Sequence, residues 1–304
     1  MKVKRCSLLK FRKQFESELD CINYLITQKW EGGYECRKCK HTSFKKGEVG
    51  TDRRCKHCNY NESPTAHTIF HSIKMPLPIA FEMVYRISVS KKGISSIALC
   101  REYDVNLKTA YNFKHKVQQS LKSSGTNPLT GIVHVDEFVY GGEEEGCQGR
   151  SSESEKLKIC VAVEIVHDKK GIETMGRAYA LPIENYSSKE LKKIFEKHIS
   201  KEAHITTDKW SGYKPIQKEY KIKQVLSKNG TNFPCIHTLI MNIKSWIRGI
   251  HHSISLSHVH HYLNEFCFRF NRRSQIEKMP IFTLNKMIAL TPKAVLLTKG
   301  GFYG

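Results

Sequence analysis

The sequence predicts a two-part chain, a cysteine-bearing helical front end followed by a mixed α/β domain. Three observations carry that expectation. Two Cys-x-x-Cys pairs lie between residues 36 and 58, helical periodicity fills residues 76–122, and β-branched runs interleaved with helices begin after the turn-rich SSGTNP at 123–128. A length of 304 residues suits one large domain with one or two small ones, and 39% hydrophobic residues suffice for a buried core.

Charge narrows the partner. Fifty Lys and Arg against 29 Asp and Glu leave a net +21 spread along the whole chain, a surface that concentrates a polyanion. No run approaches the ~20 apolar residues that a membrane-spanning helix needs, and no apolar core of signal-peptide length opens the chain. A cytoplasmic protein with a nucleic-acid partner and no membrane is expected.

The elements follow in order. Residues 8–30 carry Phe15, Leu19, Ile22 and Ile26 at helical spacing and read as one helix within an N-terminal segment, 1–33. A cysteine-rich segment spans 34–72, and a helical region 73–124. Pro76 and Pro78 mark its first helix start. The α/β domain is expected over 129–280, with a C-terminal tail over 281–304. Its strand candidates are 131–140, 158–167, 173–181, 204–208 and 221–226, with GGEEEGCQGRSSESEK as a loop or wide hairpin between the first two. Ser187 or Ser188 caps a helix, and two helices over 234–248 and 256–272 close the domain.

Cys36-x-x-Cys39 and Cys55-x-x-Cys58 stand 15 residues apart. Two such knuckles supply four soft thiolates in a tetrahedron, the ligand set of one structural zinc ion with no position open for catalysis. Gly47 and Gly50 suit a short hairpin between them. The seven other cysteines read as ordinary thiols. Lys38, Lys40, Lys45, Lys46, Arg53, Arg54 and Lys56 surround the knuckles and are candidate phosphate contacts.

Residues 92–121 have the outline of a helix-turn-helix. One helix runs from Ile94 to Glu102, a turn covers 103–106, and a second helix starts at Leu107. Lys108, Thr109, Asn112, Lys114, His115 and Lys116 are its groove-side candidates. A solvated face of a bundle helix is the plainer alternative.

In GIVHVDEFVY, Asp136 sits inside an otherwise apolar strand, a costly place for an acid unless it faces a site or a cation. Asp208 ends the strand HITTD. Two acids converging from neighbouring strands would suit phosphoryl transfer by two divalent ions about 4 Å apart. Glu137, beside Asp136, should point to the opposite sheet face and is not counted as a ligand. Trp210, Tyr213 and Trp246 read as packing residues.

The runs VDEFVYGG, TDKWSGY, CIHTLIMNIKSWIRGIHHSIS and HHYLNEFCFRFNRR, with the ribbon before them, resemble the bacterial insertion-sequence transposases with an N-terminal zinc ribbon, related to the eukaryotic Merlin elements. The resemblance implies an RNase H-like α/β domain whose mixed sheet is flanked by helices, preceded by the ribbon and the helical segment. It implies catalytic Asp136, Asp208 and a third ligand, Asn242, coordinating Mg²⁺ or Mn²⁺, where many relatives carry Glu. His237, Lys244 and Glu265 are possible supporting residues, and Glu265 reads more simply as the i,i+4 partner of Arg269. The implied partner is double-stranded DNA, both element ends and target, engaged by a homodimer or higher oligomer at the nucleoid. A domesticated DNA-binding protein with little catalysis and a zinc-ribbon nuclease without strand transfer are the rival readings.

Overall fold

The computed structural model describes residues 7–141, 156–228, 231–250, 254 and 257–290. They form two compact units. One takes the chain up to Leu121 and again from Gln275 onward, and the other spans Lys122–Ser274. The expected loop at 141–156 falls almost wholly outside the described residues.

In the first unit the single helix expected over 8–30 is two, α1 (Leu8–Gln14) and α2 (Glu18–Lys29). Ser17 explains the break. Its hydroxyl accepts from the Asp20 amide while the Asp20 carboxylate accepts from the Ser17 amide, a reciprocal cap that starts a new helix. Phe15, at the junction, packs edge-on against Tyr24 and Phe81. Three short antiparallel strands follow, β1 (Phe44–Lys46), β2 (Arg53–Cys55) and β3 (Asn61–Glu62). Lys29 reaches from α2 to Glu62 at 2.8 Å, a buried pair that also donates to the carbonyls of Ser63 and Ala66. Burial holds the Lys29 ammonium below its ordinary range, against the pull of Glu62.

Helix α3 (Leu77–Val89) opens on the expected prolines and buries Ala80, Phe81, Val84 and Ile87. Helices α4 (Ser96–Tyr103) and α5 (Leu107–Ser120) form the expected pair, capped by Ser95 and Asn106. Asp104, left-handed at φ 49°, reverses the chain between them.

The expected tail from 281 differs most. Helix α9 (Met279–Ala289) belongs to this unit. Its Leu284 and Met287 are fully buried. The Ser88 hydroxyl donates to Thr283 Oγ1 at 3.0 Å, and the Ile69 amide donates to the Met287 carbonyl at 3.0 Å. The α/β unit accordingly ends at Ser274, short of the expected 280.

The second unit is a five-stranded sheet ordered β6-β5-β4-β7-β8. Strands β4 (Ile132–Tyr140), β5 (Leu157–His167) and β6 (Glu173–Ile183) are an antiparallel meander. Helix α6 (Ser188–His198) then crosses over to β7 (His204–Thr207) and β8 (Lys221–Gln224), which run parallel to β4. Ser187 is the cap. Because β5 is buried from Leu157 to Ile165, it reads as a largely apolar run with its side chains alternating between two cores. Val133, Val135, Cys160 and Ala162 pack with Leu191, Ile194 and Phe195 of α6. Phe138, Ile159, Val161 and Val163 pack on the other face under α7 (Pro234–Ile250) and α8 (Val259–Asn271).

The β6 edge is capped by side chains, and lysines mark the β8 edge. Asn271 clamps the Ala178 amide and carbonyl of β6 at 2.7 and 2.9 Å, the Ala180 amide bonds the Cys267 sulfur, and Pro182 has no N–H to offer. Lys221 and Lys223 occupy β8.

Candidate active site

Two clusters of metal-binding side chains occur among the described residues, one in each unit. The first is the cysteine set. Each knuckle turns through a left-handed residue directly after its second cysteine, Lys40 (φ 64°) and Asn59 (φ 57°). The Lys40 amide returns to Cys36 C=O, and the Asn59 amide to Cys55 C=O, at 2.8 and 3.1 Å. The two turns repeat one geometry, and the β1–β2 hairpin brings them face to face. Cys36 and Cys58 sulfurs lie 3.5 Å apart, as do those of Cys39 and Cys55. Tetrahedral Zn–S bonds of about 2.3 Å place sulfurs roughly 3.8 Å apart, so the donor set fits zinc. Burial alone would raise the Cys36 thiol, but the amides of Cys39 and Lys38 outweigh it and hold it at about 6. Cys39 accepts an amide bond from His41, yet burial and its sulfur neighbours push it up to about 12.

The basic residues around the ribbon divide. Lys38, Lys45, Lys46 and Lys56 are exposed, while Arg53 stacks between the rings of Trp30 and Phe44 at 4.1 and 4.3 Å. On α5, Lys108 is exposed, Thr109, Asn112 and Lys116 are partly buried, and Lys114 and His115 are each only 3% exposed. Lys114 and His115 therefore do not lie on the open face expected of groove-reading residues. One helical face cannot present all six positions, because 114, 115 and 116 turn through about 200°.

The second cluster is Asp136, Glu137 and Asp208, each offering a carboxylate oxygen within 4.8 Å of the others. Register explains the meeting. β4 pairs with β7 only as far as His134 opposite Thr206, and continuing that parallel step sets Asp208 beside Asp136 just where β7 ends. The chain after β7 holds Asp208 in place. Its carboxylate accepts from the Trp210 amide at 3.0 Å, and Gln224 donates to the carbonyls of Asp208 and Trp210 at 3.1 and 2.8 Å. The Trp210 indole donates to Tyr186 C=O at 3.0 Å. Gly212 fills the crowded point of the turn, since a Cβ there would stand 2.6 Å from the indole nitrogen and 2.8 Å from Tyr186 O.

Glu137 corrects the sequence reading. Its strand position does face the core opposite to that of Asp136, and the buried Tyr213 hydroxyl donates to its carboxylate. Beyond Thr207, however, no strand covers that edge of β4. A four-atom side chain reaches into the gap from the far face and joins the other two acids. The carboxylate and burial together hold the Tyr213 phenol well above its ordinary pKa, burial being the larger effect. Of the aromatics read as packing, Tyr213 is thus also a partner of the acidic group, and Trp246 is buried in the core.

Helix α7 presents His237 and Lys244 to β4. His237 Nε2 lies 3.7 Å from Asp136 Oδ2, and Lys244 Nζ stands 5.4 Å over the Phe138 ring. Asn242 does not share that flank. Five residues beyond His237 on a helix of 3.6 residues per turn, it is rotated by about 140°, and it is solvent-exposed. The helix thus brings His237 to Asp136, while Asn242 lies on another side of it. Glu265 is buried and paired with Arg269 at 3.2 Å, as its i,i+4 spacing foretold.

No helix of the described residues is long and apolar enough to cross a membrane. No curated protein matches the chain. A family model does: the ISXO2-like transposase domain covers residues 128–271, the whole sheet, all three acids and helices α6, α7 and α8. Those residues match the ISXO2-like transposase domain family, and the cysteine cluster at 36–58 before them fits an N-terminal zinc ribbon.

Proposed function

We propose that the protein cuts the ends of a mobile DNA element and joins the freed 3′-hydroxyls to target DNA. The observation that carries this reading is the convergence of Asp136, Asp208 and Glu137 at the open end of β7, inside the segment that matches the transposase family. A meander followed by a crossover helix and two parallel strands, with the acids at the central pair, supports an RNase H-like domain.

Three carboxylates within 4.8 Å suit a hard divalent cation such as Mg²⁺ or Mn²⁺. When bound, such ions supply an activated water at neutral pH and neutralise charge developing on the phosphoryl oxygens. Asp136, Asp208 and Glu137 would hold them. Tyr213 fixes one Glu137 oxygen, leaving the other for the gap. His237, 3.7 Å from Asp136, is within one water of it and is placed to pass a proton to or from the attacking or leaving oxygen. Lys244 supports the substrate's phosphates at the mouth of the site. The ribbon lysines and α5 contact the DNA that flanks the cut, and pairing of two ends calls for at least a dimer.

A second reading, a DNA-binding protein with weak chemistry, is favoured by Asn242 lying off the acidic cluster. One assay decides. Duplexes carrying pre-cleaved 3′-hydroxyl element ends are incubated with plasmid and Mn²⁺. Joined products that vanish in Asp136→Asn and Asp208→Asn, with end binding intact, support the transposase. Cleavage without joining leaves a nuclease, and binding alone leaves the second reading.

A further inference from the structure

A cleft of about 580 Å³ lies against the edge strand β6, between α6 and α8, on the side of the sheet away from β7. Lys122, Lys193, Lys197, His260 and Asn264 contribute nitrogen donors to it, and among the described residues Glu196 is its one carboxylate. Glu196 already faces Lys192 at 3.6 Å, and Lys193 is held by Glu190 at 2.5 Å. Among the described residues Lys197 has no carboxylate partner. The cations act on one another. Burial and then Lys122 hold the Lys197 ammonium below its ordinary value. Burial, then His258, Lys122 and Lys197, hold His260 down in the same way. An anion seated beside Lys197 would relieve both its desolvation and its repulsion by Lys122.

Sheet register locates the cleft. Glu137 pairs with Cys160, and Cys160 with Leu181, which lines the cleft. With strands about 4.8 Å apart, its floor lies about 10 Å from the Glu137 backbone, and the carboxylates lie beyond that on the β7 side of β4.

The geometry points to a phosphodiester-binding site here, one that holds a backbone phosphate of DNA a few nucleotides from the cut. It rests on the reading of the partner as DNA and does not depend on catalysis. Lysines and an imidazole line one cleft, a donor set that positions a strand and does not read its bases.

The test uses the zinc-loaded full chain and a 40-bp duplex, with affinity measured by fluorescence anisotropy across a salt series. Lys197→Ala and His260→Ala should weaken binding several-fold each. The slope of log affinity against log salt should fall by about 0.9 for the lost lysine contact. Lys197→Gln keeps the side-chain stem, so its matching loss excludes misfolding. Lys218→Ala, an exposed lysine outside the cleft, should leave the slope unchanged. Parental affinity and slope in both cleft variants would overturn the site, as would an equal loss in Lys218→Ala. In a second arm, inorganic phosphate is titrated while the His260 imidazole signal is followed by NMR. Saturable phosphate binding without any effect of the cleft variants on duplex binding makes this a free-anion site and overturns the DNA assignment. A chain that cannot cut but loses duplex affinity in Lys197→Ala would sink the catalytic reading and leave this one standing.

Discussion

The two metal-binding clusters are built in opposite ways. The cysteine set draws all four ligands from residues 36–58, held by two tight turns and a hairpin. The acidic set joins Asp136 and Asp208 across 72 positions of sequence and exists only once β4, α6 and β7 are in register. The first is a local structure of the kind that a cation completes. In the second the fold alone brings the acids together. Removing metal should therefore unfold one and merely silence the other.

The largest effect tests that contrast directly. Cys36→Ser, or a strong zinc chelator, should release one zinc per chain and unfold the ribbon, since structural zinc contributes roughly 10–16 kcal/mol in isolated peptides. Metal analysis and hydrogen exchange read it. Protection lost over residues 34–62 but kept over β4 and β5 is expected, and a ribbon that keeps its protection without zinc would break the comparison. Next, Asp136→Asn or Asp208→Asn should lower strand cleavage by about a thousandfold, the equivalent of about 4 kcal/mol of lost charge stabilisation. Thermal stability should not fall, because the change relieves repulsion among close carboxylates.

These predictions lean on features the sequence showed unequally. Both knuckles were legible because their chemistry is written in spacing alone. Asp136 stood out as an acid in an apolar strand, and most strand and helix positions followed from periodicity. Three things were not legible. Glu137 obeys the alternation of a strand and so points away, and only the early end of β7 lets it reach around. That α7 turns His237 toward Asp136 and Asn242 to solvent depends on how the helix packs against β4, which the motif alone does not give. The residues after 280 look like a tail because their apolar face means nothing until α3 is there to receive it.

The middle of the scale addresses α7. His237→Ala should weaken Mn²⁺ binding about tenfold, as loss of a group beside a ligand does, and depress cleavage accordingly. Asn242→Ala should cost less. The reverse order, read by titration calorimetry, would show that the helix turns when cation or DNA binds. The smallest effect on cation binding is expected of Tyr213→Phe. It leaves a Glu137 oxygen facing a buried ring without its donor, for a loss of about 1–3 kcal/mol in stability. A modest drop in Mn²⁺ affinity should accompany it, restoring neither with added salt.

The central claim is that Asp136, Asp208 and Glu137 form one divalent-cation site. Manganese binding to the zinc-loaded full chain, followed by electron paramagnetic resonance, tests it most directly. Saturable Mn²⁺ binding is expected in the parent chain, lost in Asp136→Asn and Asp208→Asn and weakened in Glu137→Gln. Manganese bound equally by all four proteins would contradict the account, because the cation would then sit elsewhere.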